Sequence, residues 1–246
     1  MLKLSKWITK ILIELKMPVK DIITPELIEQ HKKTPIKRRS KGEITREKIL
    51  IAAIEILALN GIKGTTHRAI ASHAQLQLSL TTYYFKDIQE LIHQAFRLNS
   101  YHILSCVNID LEAMFSAISK IEKKELRKTT VKVVLCQQLS DMTSEHLIDN
   151  IKHHAISLAV EQLMLTEIQV TPELRLLVQK HELAKILPYE QLCRFFNKIT
   201  PELDAKIMYT IFSQLQYSQL AKQVNIDNLL ISQTTRRIIS WIMSLK

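Results

Sequence analysis

The feature that most constrains the fold of this chain is its lack of glycine: 3 of its 246 residues are Gly and 6 are Pro. Sandwiches and barrels use both residue types in their many tight turns, so this composition argues against them. Hydrophobic residues make up 46% of the sequence, which is enough for a buried core. We therefore expect an all-α protein, with either one large domain or two smaller ones.

Positive charge is concentrated at the N-terminus. The formal net charge of the chain is +10. Residues 1–46 carry 12 Lys and Arg against 5 Asp and Glu, a balance of +7, whereas residues 47–246 carry 22 against 19, a balance of +3. A basic N-terminal arm fits contact with phosphate groups, and a solvated leader is the alternative interpretation.

Residues 1–40 are expected to be a basic amphipathic extension followed by a linker. Apolar side chains recur there at helical spacing, with lysines on the opposite face. These apolar residues are Leu4, Trp7, Ile8, Ile11, Leu12 and Leu15. Such a stripe usually packs on the same protein or on a partner subunit, and contact with a membrane surface is the alternative. The polar, proline-marked run over 31–42 predicts the linker.

The chain has no apolar run near the ~18 residues that a membrane-spanning helix needs. Residues 1–17 are not followed by a signal-peptide cleavage site. The cysteines Cys106, Cys136 and Cys193 are odd in number and far apart. This pattern favours buried thiols in a reducing compartment, with a redox-sensing thiol as the alternative. We expect a cytoplasmic protein.

Residues 45–96 contain two short helical patterns separated by a break at Gln75-Leu76, which is the spacing of a helix-turn-helix. A long helix is predicted before this motif, with Thr45 as its N-terminal cap and Asn60-Gly61 at its end. Thr66 is predicted to cap the first helix of the motif, and Asp87 with Glu90 to form a capping box for the helix that follows.

The second helix of this motif is rich in hydroxyl and aromatic side chains, which suits contact with DNA rather than burial. Tyr84 and Phe85 are expected to pack inside the unit. The residues expected to contact DNA are Thr65, Thr66, Arg68, Ser79, Leu80, Thr82, Tyr83 and Lys86. Those expected to form a small core are Leu50, Ile54, Leu57, Ile70, Ala74, Leu76, Phe85 and Leu91.

The order of these motifs resembles the tetracycline-repressor-like (TetR) family. The residues that carry the resemblance are Thr45-Arg46-Glu47-Lys48-Ile49-Leu50, Ala52-Ala53, Asn60-Gly61, Thr65-Thr66, Arg68-x-Ile70-Ala71-x-x-Ala74 and Thr82-Tyr83-Tyr84-Phe85-Lys86-Asp87. The resemblance implies a homodimeric transcriptional regulator, usually a repressor that a small-molecule ligand releases from a palindromic operator in double-stranded DNA. It also implies a DNA-binding domain over 41–96, with its motif over 66–85, and a helical ligand-binding and dimerisation domain over 97–246.

Two positions depart from the family pattern. Gln75 stands in the turn where the family usually has Gly, and a left-handed conformation there would cost a non-Gly residue ~1–2 kcal/mol. Ser79 stands where the family often has Gly, but its side chain is small. Gln75, together with exposed Leu78 and Leu80, supports an alternative function, a helical interaction or membrane-surface adaptor that no longer reads DNA.

The remainder of the chain is one helical pattern after another. Helices are expected near 87–107, 110–124, 126–140, 145–169, 172–187, 188–197, 201–222 and 227–245. A ligand pocket for a hydrophobic or aromatic inducer is expected among the middle helices, lined by Met114, Phe115, Met142, Leu163, Met164 and Phe195. The last two helices are expected to pair with those of a second subunit through broad apolar faces, with burial inside one subunit as the alternative. The residues of these faces are Ile207, Ile211, Leu215, Leu229, Leu230, Ile238, Ile239 and Ile242.

No catalytic, cofactor or phosphate-loop motif is present in the sequence. His102 with Cys106, and His146 with Asp149 and His153, have helical spacings that a metal ion can use. Such pairs occur often by chance, because a metal site needs three or four convergent ligands. We therefore expect no enzyme activity, no metal and no cofactor.

Overall fold

The structure is a computed structural model that describes residues 41–122, 124–167, 172–222 and 225–245, without the side chains of 108–110. By its internal contacts the chain divides into two units, 1–45 and 46–246. Every regular element within the described residues is helical, as the composition predicts. They are α1 (Lys41–Gly64), α2 (His67–His73), α3 (Leu78–Tyr84), α4 (Ile88–Ser119), a 3₁₀ helix (Glu125–Arg127), α5 (Thr129–His153), α6 (Ala155–Thr166), α7 (Pro172–Arg194), α8 (Pro201–Leu220) and α9 (Asn228–Ile242).

The predictions for residues 1–40, an amphipathic helix and a linker, lie outside the described residues. In the part of the chain that the structure describes, no helix combines the length and the apolar character needed to cross a bilayer.

The helix boundaries around the motif follow from local hydrogen bonds. Thr66 caps α2, since its hydroxyl accepts from the backbone N–H of Ala69 at 3.1 Å. Asp87 caps α4 in the same way, by accepting from the N–H of Glu90 at 2.8 Å. These two caps confirm the predicted starts of α2 and α4. The reciprocal bond of the predicted capping box is absent, because the Glu90 carboxylate accepts from the N–H of Lys86 at 2.8 Å and not from that of Asp87. The predicted cap Thr45 is wrong, because α1 begins at Lys41 and the Thr45 hydroxyl donates to the Lys41 carbonyl one turn earlier.

Gly61 interrupts α1, although the helix resumes and ends at Gly64. Its φ of 66° lies in the region that favours glycine, so the kink is placed where the sequence predicts the helix end.

Three predicted helix breaks are absent. Residues 88–119 form one helix, 129–153 another, and 172–194 a third that passes through Pro188. Buried side chains continue at helical spacing across the first of these breaks, as Ile103, Val107, Leu111 and Met114 do on α4. Continuous packing of one face outweighs a local loss of helix propensity.

Two apolar cores lie in the unit 46–246. The head core joins α1, α2 and the first turns of α4 to one side of α6 and α7, and its buried residues include Ile49, Leu57, Ile70, Phe85, Leu91, Phe96, Val160, Met164, Leu174 and Val178. The C-terminal core joins the rest of α4 to α5, α7, α8 and α9, and includes Leu111, Leu135, Leu147, Leu192, Met208, Phe212 and Ile239. The small core predicted for the motif is confirmed: Leu76 is half-buried against the head core and the other seven residues are buried.

Candidate nucleic-acid interface and internal cavity

Helix α3 has one face in the protein and one in solvent. Phe85, directly after the helix, is fully buried, and Thr81 is buried with its hydroxyl donating to the Leu78 carbonyl at 2.8 Å. Thr82 is exposed, and Tyr83 is 79% exposed. A tyrosine this exposed contributes little to the core, so its ring is available to another molecule.

The neighbouring aromatic rings hold α3 in place. The guanidinium of Arg46, on α1, lies 5.1 Å from the centre of the Phe85 ring, a cation–π contact. Tyr84 is half-buried against the head core and meets Tyr83 edge-to-face at 5.0 Å between ring centres. Tyr83 is therefore supported from one side while its other side faces solvent.

The remaining predicted contact residues fall into two groups. Thr66, Arg68, Ser79 and Lys86 are exposed. Leu80 is half-buried against the head core, and Thr65 is buried with its hydroxyl donating to the Gly61 carbonyl at 2.8 Å. The first group lies at a surface, whereas Leu80 and Thr65 have packing or capping contacts within the protein.

The turn between α2 and α3 has the geometry of a left-handed helix end. Gln75 has a φ of 54°. The N–H of Leu76 donates to the Ala71 carbonyl at 2.9 Å, and the N–H of Gln75 donates to the Ser72 carbonyl at 3.1 Å, the two bonds of a Schellman motif. Gln75 thus occupies a glycine-favouring conformation, and the turn forms despite the strain.

The six residues predicted to line a pocket do not converge. They are Met114, Phe115, Met142, Leu163, Met164 and Phe195. Three of them pack in the C-terminal core on α4 and α5, and two pack in the head core on α6. The sixth, Phe195, is 48% exposed and lies 6.0 Å from the ring of Phe115.

A small internal cavity lies elsewhere, among α4, α5, α6, α7 and α8. Its volume is about 20 Å³, which leaves room for a water molecule but not for a drug-sized ligand. Its walls are His102, Ile103, Cys106, Val107, His146, Asn150, His154, Ser157, Leu158, Lys185, Tyr189, Phe212, Ser213 and Gln216. None of the six predicted residues is among them. The wall is instead rich in polar side chains.

Lys185 links this cavity to a buried hydrogen-bonded chain. Its ammonium donates to Glu161 Oε1 at 2.7 Å, and His181 Nε2 lies 2.6 Å from the same oxygen. His181 Nδ1 lies 2.7 Å from the hydroxyl of Ser100 on α4. Glu161, His181 and Lys185 have side chains 0%, 0% and 5% exposed. We call Ser100, Glu161, His181 and Lys185 the polar layer.

The polar layer keeps Glu161 ionised. Burial raises the pKa of Glu161, but the charge of Lys185 and the contact with His181 lower it by a larger amount. The net pKa therefore falls well below its usual range. An ionised carboxylate without cations in such a place would be strongly disfavoured. Its second oxygen, Oε2, has no hydrogen-bond partner among the described residues.

Burial also shifts the pKa of one other titratable group in the cavity wall, His102. Desolvation lowers the pKa of His102; Glu47 opposes this shift and His154 adds to it. The Cys106 thiol lies 4.0 Å from His154 Nε2. Among the described residues, no group of three or more His, Cys, Asp and Glu side chains converges as a metal site would. All three cysteines are free thiols, with Cys136 and Cys193 buried and Cys106 half-buried.

No protein-family model and no curated protein matches the sequence of this chain. Solved structures, in contrast, match its fold. A transcriptional regulator from Rhodococcus sp. Rha1 has a TM-score of 0.59 at 12% identity, over 81% of this chain and 96% of that one. A TetR-family member from Streptomyces coelicolor A3 has a TM-score of 0.53 at 18% identity, over 79% and 97%.

The multidrug binding protein EbrR in complex with ethidium has a TM-score of 0.50 at 17% identity, over 79% of this chain and 97% of that one. These likenesses cover nearly the whole length of each solved chain and about four fifths of this one. The chain therefore has the fold of the TetR-like transcriptional regulators.

Proposed function

We propose that this protein is a sequence-specific DNA-binding transcriptional regulator, with α3 as its recognition helix. The observation that carries the proposal is the exposed face of α3, where Ser79, Thr82 and a 79% exposed Tyr83 stand on a well-packed apolar core. Hydroxyl groups bind base edges and phosphates, and a rigid core fixes their positions. In this proposal residues 41–96 are the DNA-binding domain, 97–246 bind ligand and partner subunit, and 1–40 form an extension.

The surrounding exposed residues are suited to the DNA backbone. Arg68 and Lys86 are the cations on this surface, and Thr66 lies beside Arg68 at the start of α2. We assign phosphate contacts to these three residues and base contacts to the face of α3. Thr65 is not assigned a DNA contact, because it is buried, with its hydroxyl donating to the Gly61 carbonyl.

The proposed regulator acts as a homodimer, since two copies of α3 must reach successive major grooves of a palindromic operator, about 34 Å apart. Support comes from α9. Its buried side, with Ile231, Ile239 and Ile242, packs within the subunit, whereas Leu229 is 66% and Trp241 is 50% exposed. The surface of α9 that carries these two side chains is therefore available to a second subunit. Ile239 and Ile242, expected from the sequence in the dimer contact, are buried within one subunit instead.

A small-molecule ligand is proposed to release the protein from DNA by favouring a second conformation. The enclosed cavity beside α4 supports this, since α4 also contributes Phe96 to the head core. EbrR, of the same fold, binds ethidium.

The test is binding to the DNA upstream of the protein's own gene, measured by fluorescence anisotropy. Tyr83→Ala and Lys86→Ala should each weaken binding by about tenfold or more, because each removes a direct contact. Lys206→Ala is the matched control, since Lys206 is an exposed lysine on α8, and it should bind as the wild type does.

Equal affinity for scrambled DNA, or no response to either substitution, would contradict the proposal. It would favour the helical adaptor instead, to which the 43% exposed Leu78 gives some support. Removal of residues 1–40 separates the two functions further: an adaptor should lose its partner or membrane association, whereas the regulator should keep specific binding to its operator.

A further inference from the structure

The polar layer lies between the two apolar cores of the molecule. Along one face of α7, Leu174 and Val178 belong to the head core, His181 and Lys185 follow at helical spacing, and Tyr189 belongs to the C-terminal core. On α4 the same order holds. Phe96 is in the head core, Ser100 is next, and Ile103 lies in the C-terminal core. A layer of buried charge therefore separates the helix-turn-helix side from the cavity side.

Replacement of such a layer by apolar residues is often neutral or stabilising, so packing alone does not require it. Lys185 is the member of the layer that reaches the cavity wall. A ligand in the cavity can therefore act on the layer directly.

The chemistry of the cavity wall favours an anion. Several hydrogen-bond donors line it: the ammonium of Lys185, the hydroxyls of Ser157 and Ser213, and the side-chain amide of Gln216. The other polar residues of the wall, His102, His146, Asn150 and His154, can both donate and accept. No carboxylate is among its lining residues. Gln216 is 5% exposed, and its Nε2 has no hydrogen-bond partner among the described residues. An unpaired buried donor facing a cavity requires an acceptor from a ligand or a water molecule.

The rest of the wall fits the body of a small organic molecule. Ile103, Val107 and Leu158 are apolar, and Tyr189 and Phe212 are aromatic, with their rings 6.3 Å apart. The combination of several donors with apolar and aromatic surface is complementary to a carboxylate attached to a short hydrocarbon or a single ring.

We propose that the cavity binds a small organic acid, whose carboxylate is received by Lys185 and Gln216, and that binding is transmitted to α4 through Glu161, His181 and Ser100. This rests on the proposed function, because it names the ligand class and the coupling of the regulator. A second carboxylate at Lys185 competes with Glu161 for its ammonium. Any shift of Glu161 alters its contact with His181, and thereby the contact of His181 with Ser100.

The ligand reaches the cavity by a short route. Cys106, His146, Asn150 and His154 line both the cavity and an adjoining surface groove, so they form the wall between the two. Movement of these side chains joins the groove to the cavity and enlarges a site that otherwise holds about one water molecule. Two carboxylates, Glu145 and Asp149, lie on the outer side of the groove.

The first test measures ligand binding alone, on the full chain without DNA. Benzoate, phenylacetate and hexanoate are titrated by calorimetry beside the amide and the primary amine of the same carbon skeleton. At least one acid should bind about tenfold or more tightly than its amide and its amine, because only the carboxylate forms an ion pair with the Lys185 ammonium. If no acid binds better than its amide, the proposed ligand class is wrong.

Substitutions then locate the site. Lys185→Met should reduce the affinity for that acid at least tenfold, and Gln216→Leu should reduce it several-fold. Lys185→Met leaves Glu161 buried beside His181 alone, so the double variant Glu161→Gln/Lys185→Met, which removes both charges, is measured beside it. Gln216→Leu carries no charge change and serves if either lysine variant does not fold. Unchanged affinity in Gln216→Leu and in any folded lysine variant would overturn the proposed site.

The coupling has its own pair of variants on α4. Ser100→Ala removes the contact with His181 but lies outside the cavity wall. It should keep the acid affinity and the operator affinity within about twofold, and lose most of the weakening of DNA binding that the acid causes. Ser105→Ala is the matched control, because within the described residues the Ser105 hydroxyl bonds to the Tyr101 carbonyl one turn earlier and not to His181. Full coupling in Ser100→Ala would overturn the transmission route.

The two proposals fail in different ways. Specific operator binding without acid binding contradicts the ligand class and leaves the DNA-binding function standing. Acid binding to the cavity without specific operator binding supports the site and contradicts the regulator.

Discussion

The head core and the polar layer lie on the same helices, α4, α6 and α7, and are built from opposite kinds of side chain. The largest buried side chains of the head core are apolar, such as Phe85 and Phe96. Thr65 and Thr81, buried beside it, donate to carbonyls in their own part of the chain. One step along α6 from Val160, the buried residue is Glu161, bonded to a lysine and a histidine.

This difference assigns the two regions different tasks. A closely packed apolar core has few alternative packing arrangements, so it holds the exposed face of α3 in one position, as a DNA-reading surface requires. A buried ionic chain is stable only while all its partners are present. It can therefore respond to a competing charge, whereas the head core cannot.

The largest expected effect is the loss of one charge from the polar layer. Glu161→Gln leaves the Lys185 ammonium buried without its carboxylate, and should lower the free energy of unfolding by about 3–5 kcal/mol. The double variant Glu161→Gln/Lys185→Met should recover much of this loss. Urea unfolding of the single and double variants gives both values. A cost below about 1 kcal/mol for Glu161→Gln would remove the contrast between the two regions.

The second effect is a pH dependence that the head core lacks. The folded pKa of Glu161 is lowered from 4.5, so its contribution to stability is present above pH 4.5 and lost as the pH falls toward the folded value. Across this window the wild type should lose stability faster than Glu161→Gln/Lys185→Met, by an increment on the order of 1 kcal/mol per pH unit. Parallel pH profiles of unfolding for the two proteins would contradict the ionised state of Glu161.

In the helix-turn-helix unit the expected changes in stability are smaller, because each one removes a single local hydrogen bond or a single local strain. Thr66→Ala removes the acceptor for the Ala69 N–H at the start of α2, and should cost about 1 kcal/mol of stability. Thermal unfolding measures this cost, with Thr210→Ala as the control, since that exposed hydroxyl donates to the Lys206 carbonyl within its own helix. Equal stability changes in the two variants would exclude a capping role for Thr66.

The smallest effect is a gain. Gln75→Gly relieves the left-handed strain of the turn but adds freedom to the unfolded chain, so the net gain should be about 1 kcal/mol or less. Gln75→Ala keeps the strain and should not be stabilised. A loss of stability in Gln75→Gly would show that the side chain of Gln75 contributes more than its backbone costs.

The same contrast explains what could be predicted from the sequence. The head was predicted well because its signals are local: Thr66 and Asp87 are caps, Gly61 is a kink, and the family resemblance spans this segment. Its core residues followed from helical spacing. The helix breaks predicted near 108 and 188 were wrong, because the tertiary packing of α4 and α7 continues through these positions.

The cavity could not be predicted from the sequence, because its wall is rich in polar side chains, whereas apolar and aromatic residues are what mark a ligand pocket in a sequence. Glu161, His181 and Lys185 have the composition of a solvated helix face, and only the packing of α4, α6 and α7 buries them. One signal was available. Leu174, Val178, His181, Lys185 and Tyr189 share one helical stripe, so two titratable residues interrupt an otherwise apolar face.

The proposal that the exposed face of α3, with Arg68 and Lys86, reads an operator can be checked by salt-titrated binding to that operator and to a scrambled duplex. Binding to the operator should be tighter at every salt concentration, and its affinity should fall steeply as salt rises. Lys86→Ala should reduce the slope of log K against log salt by about 1 for each subunit. Equal affinities for the two duplexes, or a slope that Lys86→Ala leaves unchanged, would contradict it.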